Sequence, residues 1–338
     1  MLKKIGKTSY VLQNPIYIES TGLCVGPEEK KGPLGYFFSR YFHDLYGGYK
    51  SFELAERGLM LEAVDECFKK RNIAERDIDA FLAGDLLFHN GTSSYVAREL
   101  AIPYMGMASA CSTITEAMIM AAFMLQTNDC HRVLVAVSSH FGSAERQFRY
   151  PPTFGAEKKQ TANTTATGAG AAIISKTEQE VMMTAFTMGQ VQDMNQTDPS
   201  QMGSIMAPAA VHTMLQCIKD YPGSLNDFDW IVTGDLGRHG SVLFRTLLLK
   251  EGIDVEGKHV DCGMLLLHPE RKYYAGASGC ATPALVMFSY FFEHLKQKKM
   301  TRILFLATGT LLNAALVKQG ESIPAISHAI VLERREEG

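Results

Sequence analysis

Cys111 is the residue of this sequence whose position best suits covalent chemistry. It lies in Ala110-Cys111-Ser112-Thr113, where a stretch rich in Ala, Met, Ile and Leu predicts a buried helix over Ser112–Gln126. A thiol at a helix N-terminus lies near the positive end of the helix dipole, which lowers its pKa and favours the nucleophilic thiolate. The alternative is a free cysteine that only packs in the core, as most free cysteines do.

A nucleophilic cysteine also needs a base and hydrogen-bond donors for an oxyanion, and histidine is the usual base. His140 follows the predicted strand Val133–Val137, at the end of the strand where α/β sheets place their sites. His239 follows the Gly234-Asp235 turn further along the chain. The sequence contains no HxxxH or CxxC pattern, so no metal site is predicted.

The elements that position these residues occur twice in the chain. Four pairs of similar segments recur in the same order, and two of them share Gly-Asp-Leu and Ser-x-Cys-x-Thr. The pairs are 79–86 with 229–236, 108–113 with 277–282, 132–138 with 302–308, and 172–176 with 330–334. Because four ordered matches exceed what similar apolar strands produce by chance, we predict an internal duplication in which Cys280 is the counterpart of Cys111.

Each half of the chain alternates between strand and helix patterns. This predicts an α/β protein of two βαβαβ halves with largely parallel sheets, divided into residues 1–180 and 181–338. The predicted strands and helices are Ile78–Ala83, Val133–Val137, Ile231–Thr233, Ile303–Ala307, Glu53–Arg71 and Thr282–Lys296. Two polar segments outside the repeats, Gly142–Gly168 and Gly189–Ala207, are predicted to be long functional loops.

Composition excludes several function classes. The chain has 338 residues and a net charge of −3, so no basic surface for nucleic acid is expected. Its seven cysteines form no paired pattern, which favours a reducing compartment over a disulfide framework. No signal peptide and no apolar stretch of spanning length are apparent, so we predict a soluble chain without a transmembrane segment.

The sequence resembles the thiolase and ketoacyl synthase superfamily in its duplicated halves, its Cys111 helix start and Thr167-Gly-Ala-Gly-Ala-Ala-Ile-Ile. Within that superfamily it resembles the stage V sporulation protein AD family of endospore-forming bacteria over essentially the whole chain. The segments that carry this second resemblance include Asn14–Gly22, Gly32–Gly35, Leu82–Leu87, Ser138–His140, Ala144–Pro151, Met206–Ala210 and Glu321–His328.

The resemblance implies a thiolase-like fold with a layered α/β/α/β/α core and no known enzymatic activity. It implies binding of dipicolinic acid, free or as its calcium chelate, and no other cofactor. It also implies membrane-protein partners from the same sporulation operon, which move this compound into the developing spore and release it in germination. The expected location is therefore peripheral, at the forespore or spore inner membrane. Members of the superfamily often form homodimers through a strand like Arg132–Ser138, so the resemblance makes a homodimer through this strand one candidate and leaves the oligomeric state open.

Condensing enzymes of the superfamily pair the cysteine with a histidine and an asparagine or second histidine from the second half. Here the matching segments read Thr233-Gly234-Asp235-Leu236 and Gly276-Ala-Ser278-Gly-Cys280, so Asp235 and Ser278 stand where those partners are expected unless His239 reaches in. This favours a binding pocket in which Cys111 is a vestigial nucleophile. The alternative is a cysteine-dependent acyltransferase or a condensing enzyme similar to ketoacyl synthase III.

Dipicolinate is a flat aromatic ring with two carboxylates, and helix N-termini and hydrogen-bond donors suit such an anion. Asp85 and Asp235 are candidate calcium ligands, but no cluster supplies the six to eight oxygens that calcium requires, so the chelate would bring its cation with it. The predicted ligand-binding residues are Cys111, Ser112, Ser139, His140, Arg146, Arg149, Asp235 and Ser278. For the two arginines the alternative is a solvated loop charge.

Overall fold

The computed structural model describes residues 2–148, 159–268 and 273–336, apart from the side chains of residues 146–148. The strands are β1 (Leu2–Lys4), β2 (Ser9–Val25), β3 (Arg40–Tyr41), β4 (Ala80–Gly84), β5 (Tyr104–Gly106), β6 (Arg132–Ser139), β7 (Thr164–Thr165), β8 (Gly168–Ser175), β9 (Val181–Thr187), β10 (Trp230–Thr233), β11 (His259–Asp261), β12 (Ala277–Ser278), β13 (Arg302–Thr310) and β14 (Ala325–Arg334). The helices are α1 (Pro27–Lys30), α2 (Phe52–Arg71), α3 (Gly91–Leu100), α4 (Thr113–Leu125), α5 (Phe141–Phe148), α6 (Met202–Asp220), α7 (Gly237–Lys250), α8 (Cys262–Leu266), α9 (Ala281–Val286), α10 (Phe292–Lys296) and α11 (Ala314–Lys318).

The strand order repeats in the two halves. The sheet runs β11-β10-β13-β14-β9 and continues as β2-β8-β6-β4-β5, so each half places its strands in the same relative order. The directions repeat too, because β4 is parallel to β6 as β10 is to β13, while β8 and β14 are antiparallel to their neighbours. The long strand β2 joins the halves by pairing with both β9 and β8. The predicted duplicated α/β architecture is therefore confirmed.

Five layers stack through the molecule. Helix α4 packs against strands of both halves, and α9 packs against β8, so these helices form the central layer. Helices α2 and α3 cover the outer face of the first half, and α6 and α7 cover that of the second. Helix α9 is buried along its whole length and α4 along most of it, which explains why both helices are largely apolar.

The expectation of largely parallel sheets was wrong for the middle of the molecule, where every pairing from β13 to β6 is antiparallel. A strand that is covered on both faces is a continuous apolar run whichever way its neighbour points, so the sequence pattern does not reveal direction. The expected dimer strand is also corrected, because β6 is hydrogen-bonded to β4 on one side and to β8 on the other. It has no free edge for a second copy.

The two expected loops are shorter than predicted. Helix α5 begins at Phe141, just before the first of them, and extends into it as far as Phe148, and α6 begins at Met202, inside the second. A turn over Pro199–Gln201, capped by the Asp198 side chain, leads into α6. We misread this region as a loop because it is rich in Gln, Asp, Met and Gly, whereas helix α6 begins within it and continues through Pro208. The predicted helix over Thr282–Lys296 is confirmed, with a π-helical turn at Met287–Phe291.

Candidate functional site

Cys111 lies on a strained turn that precedes α4. The preceding residue, Ala110, has a left-handed φ of 50°, a conformation that costs free energy for any residue with a side chain. The turn rests directly on β13, since a Cβ added to Gly309 would lie 2.2 Å from the carbonyl oxygen of Ser109. This close packing holds Cys111 at the wall of a cavity of about 310 Å³, which we call the Cys111 cavity.

Ser278 and Asp235 are the side chains that face the thiol. The Cys111 Sγ lies 3.9 Å from the Ser278 Oγ, which in turn donates a hydrogen bond of 2.7 Å to the Asp235 carboxylate. Asp235 also accepts hydrogen bonds from the Gly279 N–H at 3.2 Å and from the Thr308 Oγ1 at 2.9 Å. The thiol therefore belongs to a buried Cys-Ser-Asp arrangement in which the acid is already saturated with donors.

Elements of the second half hold this arrangement in place. Asp235 follows the end of β10, and the Asp261 carboxylate accepts the N–H groups of Leu236 and Gly237 at 2.8 and 3.0 Å, which fixes the turn after it. Ser278 lies on β12, which pairs in parallel with β7 so that Ser278 stands beside Thr165. Both halves of the chain thus contribute backbone that positions the two partners of Cys111.

The expectation that the helix dipole lowers the pKa of Cys111 was wrong. Burial raises the pKa of this thiol well above its ordinary value, and the nearby Asp235 carboxylate raises it further. Only 6% of Cys111 is exposed, so a thiolate there would be poorly solvated. Because the thiolate is the nucleophilic form of cysteine, the environment suppresses the reactivity that the helix start suggests.

The predicted histidines do not reach the thiol. His140 is fully buried, with its Nε2 2.7 Å from the Leu45 carbonyl oxygen and its Nδ1 accepting the Gly142 N–H at 3.0 Å. Its ring stacks on Phe52, so it acts as a packed core residue. His239 is exposed in the first turn of α7. Among the described residues that line the Cys111 cavity, His89 is the one histidine, and it lies exposed at the rim.

The structure brings only some of the predicted ligand-binding residues to the cavity. Cys111 and Ser278 line it, and Asp235 lies directly behind Ser278. The buried Ser112 Oγ donates instead to the Ser109 carbonyl at 2.8 Å, and the buried Ser139 Oγ donates to the Ala166 carbonyl at 2.8 Å. These two hydroxyls and His140 are therefore engaged within the fold rather than in the cavity lining.

The remaining two predicted ligands lie outside what the structure describes. Arg149 falls in the segment 149–158, and of Arg146 only the backbone, in α5, is described. Helix α5 nevertheless runs along the Cys111 cavity, since its residue Ala144 lines the wall. The binding roles of both arginines stay a prediction.

Several lining residues escaped the sequence analysis as ligand contacts. They are the side chains of His89, Asn90, Thr165 and Thr310, together with Asp85, which the sequence analysis named only as a candidate calcium ligand. Asp85 accepts hydrogen bonds from the Ser93 N–H at 2.7 Å and the Ser93 Oγ at 2.8 Å, and burial raises the pKa of its carboxyl. The available signal was their position at the carboxyl ends of β4 and β13, where α/β folds place their sites.

Metal chemistry receives no support from these groups. Across the described residues, no three His, Cys, Asp or Glu side chains are arranged to hold a metal ion. The helices in the same ranges also include none that is long and apolar enough to cross a membrane.

Comparisons with known proteins agree with this architecture. The family model described as stage V sporulation protein AD (SpoVAD) matches residues 6–333. The stage V sporulation protein AD of Bacillus subtilis (strain 168) is 44% identical over 333 residues, which covers 98% of each chain.

Solved structures share the fold at low identity. A variant of OleA from Xanthomonas campestris is 16% identical, with a TM-score of 0.62 over 95% of this chain and 99% of that one. The 3-oxoacyl-[acyl-carrier-protein] synthase III of Aquifex aeolicus VF5 is 12% identical, with a TM-score of 0.58 over 94% of this chain and 99% of that one. These two likenesses establish a thiolase-like fold and nothing further.

Proposed function

This chain belongs to the stage V sporulation protein AD family, and we propose that it serves sporulation as a non-enzymatic binding protein for dipicolinic acid. In this proposal the Cys111 cavity holds the compound, free or as its calcium chelate. The protein then supports uptake of dipicolinic acid into the developing spore and its release in germination.

The observation that carries the non-enzymatic part is the set of groups around Cys111. Acyl transfer through a cysteine needs a base that removes the thiol proton and donors that stabilise an oxyanion. Here the nearest side chains are the Ser278 hydroxyl, which already donates to Asp235, and Asp235 itself. A buried acid beside the thiol opposes the formation of a second negative charge, whether a thiolate or an oxyanion.

The cavity has features that suit a flat aromatic acid. Leu86, Leu87, Met202 and Leu312 contribute apolar surface against which a ring can pack. The start of α4 at Thr113 directs the positive end of a helix dipole towards the same region. We propose that Arg146 and Arg149 supply the charge that binds the carboxylates, because bidentate arginine–carboxylate pairs are the usual solution in proteins.

Calcium would enter with the ligand in this proposal. Six to eight oxygen ligands are required for the ion, and the described part of the chain offers no cluster of three candidate groups. The two carboxylates and the ring nitrogen of dipicolinate would therefore hold calcium, and the protein would recognise the chelate.

The proposed partners are membrane proteins of the same sporulation operon, and the proposed location is peripheral, at the forespore or spore inner membrane. A homodimer is also proposed, through β5 rather than β6. Strand β5 ends the sheet, where β4 is its one partner among the described residues, and Met105 on it is 47% exposed. Unpaired edge strands with exposed apolar side chains are prone to pair with another chain.

Titration calorimetry with dipicolinate and with its calcium chelate tests the binding proposal. Ala108 is exposed and lines the cavity, so Ala108→Trp should narrow the cavity without disturbing the core. We expect wild type to bind at least one of the two forms and Ala108→Trp to bind it at least about tenfold more weakly, because a bulky ring removes ligand contacts. Leu249→Trp on the exposed face of α7 is the control and should bind like wild type.

Absence of heat with both forms up to millimolar ligand would overturn the proposal. The competing enzymatic function is tested separately, by intact-mass analysis after incubation with acyl-CoA donors of several chain lengths. A stable adduct on Cys111 would favour the acyltransferase alternative.

A further inference from the structure

Buried carboxylates flank the Cys111 cavity on two sides. Asp85 lines it from the first half of the chain and is 6% exposed, and Asp235 stands behind Ser278 in the second half, fully buried. No ion pair among the described residues joins either carboxylate to a lysine or an arginine. Of the described lining residues, His89 alone can carry a positive charge, and it is exposed at the rim. These walls therefore hold acids without a base buried beside them.

A third buried carboxylate, Glu56 of α2, lies behind the wall that Asp85 forms. Strands β4 and β6 are paired up to the residues just before Asp85 and Ser138, which are therefore neighbours across the two strands. The Ser138 Oγ donates to one oxygen of Glu56 at 2.9 Å, and the Ser143 Oγ donates to the other at 2.6 Å. Only 1% of Glu56 is exposed, so it is screened from water and is separated from the cavity by this thin layer.

The surroundings of Glu56 favour its neutral form. Burial, and then the nearby Asp85 carboxylate, raise the pKa of the Glu56 carboxyl to about 8, against the opposing effect of the two serine hydroxyls. The Glu53 carboxylate raises it further. Two negative charges that share a buried region disfavour each other, so Glu56 holds a proton near neutral pH while Asp85 keeps its hydrogen bonds to the N–H groups of α3.

The elements packed around Glu56 and Asp85 supply no free positive charge among their described side chains. Their other titratable groups are Arg57, Glu99, Tyr104, His140, Glu145 and Cys280. Burial lowers the pKa of His140 and raises the pKa of Cys280, so both are neutral near pH 7. The Arg57 guanidinium pairs with the Glu99 carboxylate at 3.3 Å.

Dipicolinate would bring two further negative charges into this region. The proposed arginines, Arg146 and Arg149, would balance the two ligand carboxylates and leave the acids of the walls uncompensated. Charges of one sign repel strongly where water is excluded. A bound dianion therefore makes the proton on Glu56 harder to remove, and by reciprocity that proton strengthens binding of the dianion.

On the basis of the function proposed for this cavity, we infer that the cavity binds dipicolinate together with a compensating positive charge, either calcium in the chelate or a proton on Glu56. The chelate carries its own compensation, because one calcium ion neutralises the two ligand carboxylates. Free dipicolinate instead requires the Glu56 carboxylate to take one proton from the buffer. The neutral carboxyl can donate that proton to the Oγ of Ser138 or Ser143, since a hydroxyl both donates and accepts.

Titration calorimetry of the full chain at about pH 8.5, in borate and in Tris, tests this inference. The two buffers release different heats when they give up a proton, so the difference in binding heat counts the protons taken up. Free dipicolinate should take up about half a proton or more, because Glu56 is largely ionised in the free protein at that pH. The one-to-one calcium chelate should take up almost none.

The pH dependence of affinity gives a second measure. The affinity of wild type for free dipicolinate should fall about fivefold or more as the pH rises from 7 to 9 through the pKa of Glu56, whereas affinity for the chelate should change by less than about twofold. Glu56→Gln replaces the carboxyl by a neutral amide that can still pair with both serine hydroxyls. It should abolish both the proton uptake and the pH dependence. Glu251→Gln, an exposed carboxylate on another face, should behave like wild type.

Binding of free dipicolinate without proton uptake, or with the same uptake as the chelate, would overturn the inference and leave the proposed function standing. Persistence of the pH dependence in Glu56→Gln would also overturn it, by assigning the proton to another group. If this variant does not fold, the comparison of buffers on the unmodified protein decides alone. Absence of heat with both ligand forms would instead overturn the proposed function, and the inference with it, so the two failures are distinguishable.

Discussion

Glu29→Gln should change how the stability of the folded protein depends on pH. The wild-type carboxyl is buried, with one oxygen bonded to the Thr167 N–H and the other without a partner among the described residues. Burial, which the Thr167 hydrogen bond offsets only in part, raises its pKa from 4.5 to about 7. The folded state therefore holds a proton that the unfolded chain releases.

The size of the effect follows from that shift. A group whose pKa is raised in the folded state stabilises it fully below the unfolded pKa of 4.5, and this contribution is lost as the pH rises through about 7. At about 1.4 kcal/mol for each unit of pKa, the loss amounts to about 3 kcal/mol. Glutamine cannot ionise, so the variant should gain about 3 kcal/mol relative to wild type between acidic and mildly basic pH.

Denaturant unfolding of both proteins at a series of pH values measures this difference. We expect the free energy of unfolding of wild type to fall more steeply with pH than that of Glu29→Gln, with the two curves diverging between about pH 4.5 and pH 8. The exposed Glu251→Gln serves as the control and should follow wild type throughout. Parallel curves for Glu29→Gln and wild type would refute the reasoning, because they would mean that Glu29 ionises equally in both states.

Three further outcomes are expected. At mildly basic pH, iodoacetamide should alkylate Cys111 at least about tenfold more slowly in the folded protein than in the unfolded chain, because the thiol is buried and its pKa is raised. Peptide mapping measures the labelling, and rapid labelling of Cys111 in the folded protein would contradict this expectation. Gly309→Ala should cost about 1–3 kcal/mol in chemical denaturation, because its Cβ would meet the Ser109 carbonyl oxygen at 2.2 Å. Gly91→Ala, whose nearest contact is 3.3 Å, should be close to neutral, and equal losses for both would contradict the packing argument. Met105→Lys on the β5 edge should convert a dimer into a monomer in light scattering, whereas a monomeric wild type would exclude that interface.

Sequence reasoning recovered the elements whose signals are local. The helix predicted at Ser112–Gln126 is observed at Thr113–Leu125, and the helix predicted at Glu53–Arg71 is observed at Phe52–Arg71. The repeated Gly-Asp-Leu and Ser-x-Cys-x-Thr segments marked the duplication that the strand order reproduces. Strand direction was missed in the centre, because an apolar run looks the same in parallel and antiparallel neighbours when both faces are buried.

The candidate site was recovered only in part. The reading of Asp235 and Ser278 as partners of Cys111 came from the resemblance to condensing enzymes of the superfamily, and the structure places both side chains beside the thiol. Ser139 and His140 were predicted as ligand contacts, but their side chains do not line the cavity, because a position at or after the end of a strand does not determine the direction of the side chain. The positions of His89 and Asn90 at the cavity could not be predicted without the loop conformation, because the backbone is left-handed at both residues.

By itself, the sequence determined the duplicated α/β organisation and the apolar central helices, since both depend on residue types at fixed spacing along the chain, and its resemblance to known sequences identified the family. Only the tertiary structure decided the chemistry of Cys111, whose pKa is raised by burial and by a carboxylate from the other half. It also decided that Glu29 is buried, which raises the pKa of its carboxyl to about 7. Both properties depend on desolvation and on distances between residues far apart in the sequence, which no local pattern encodes.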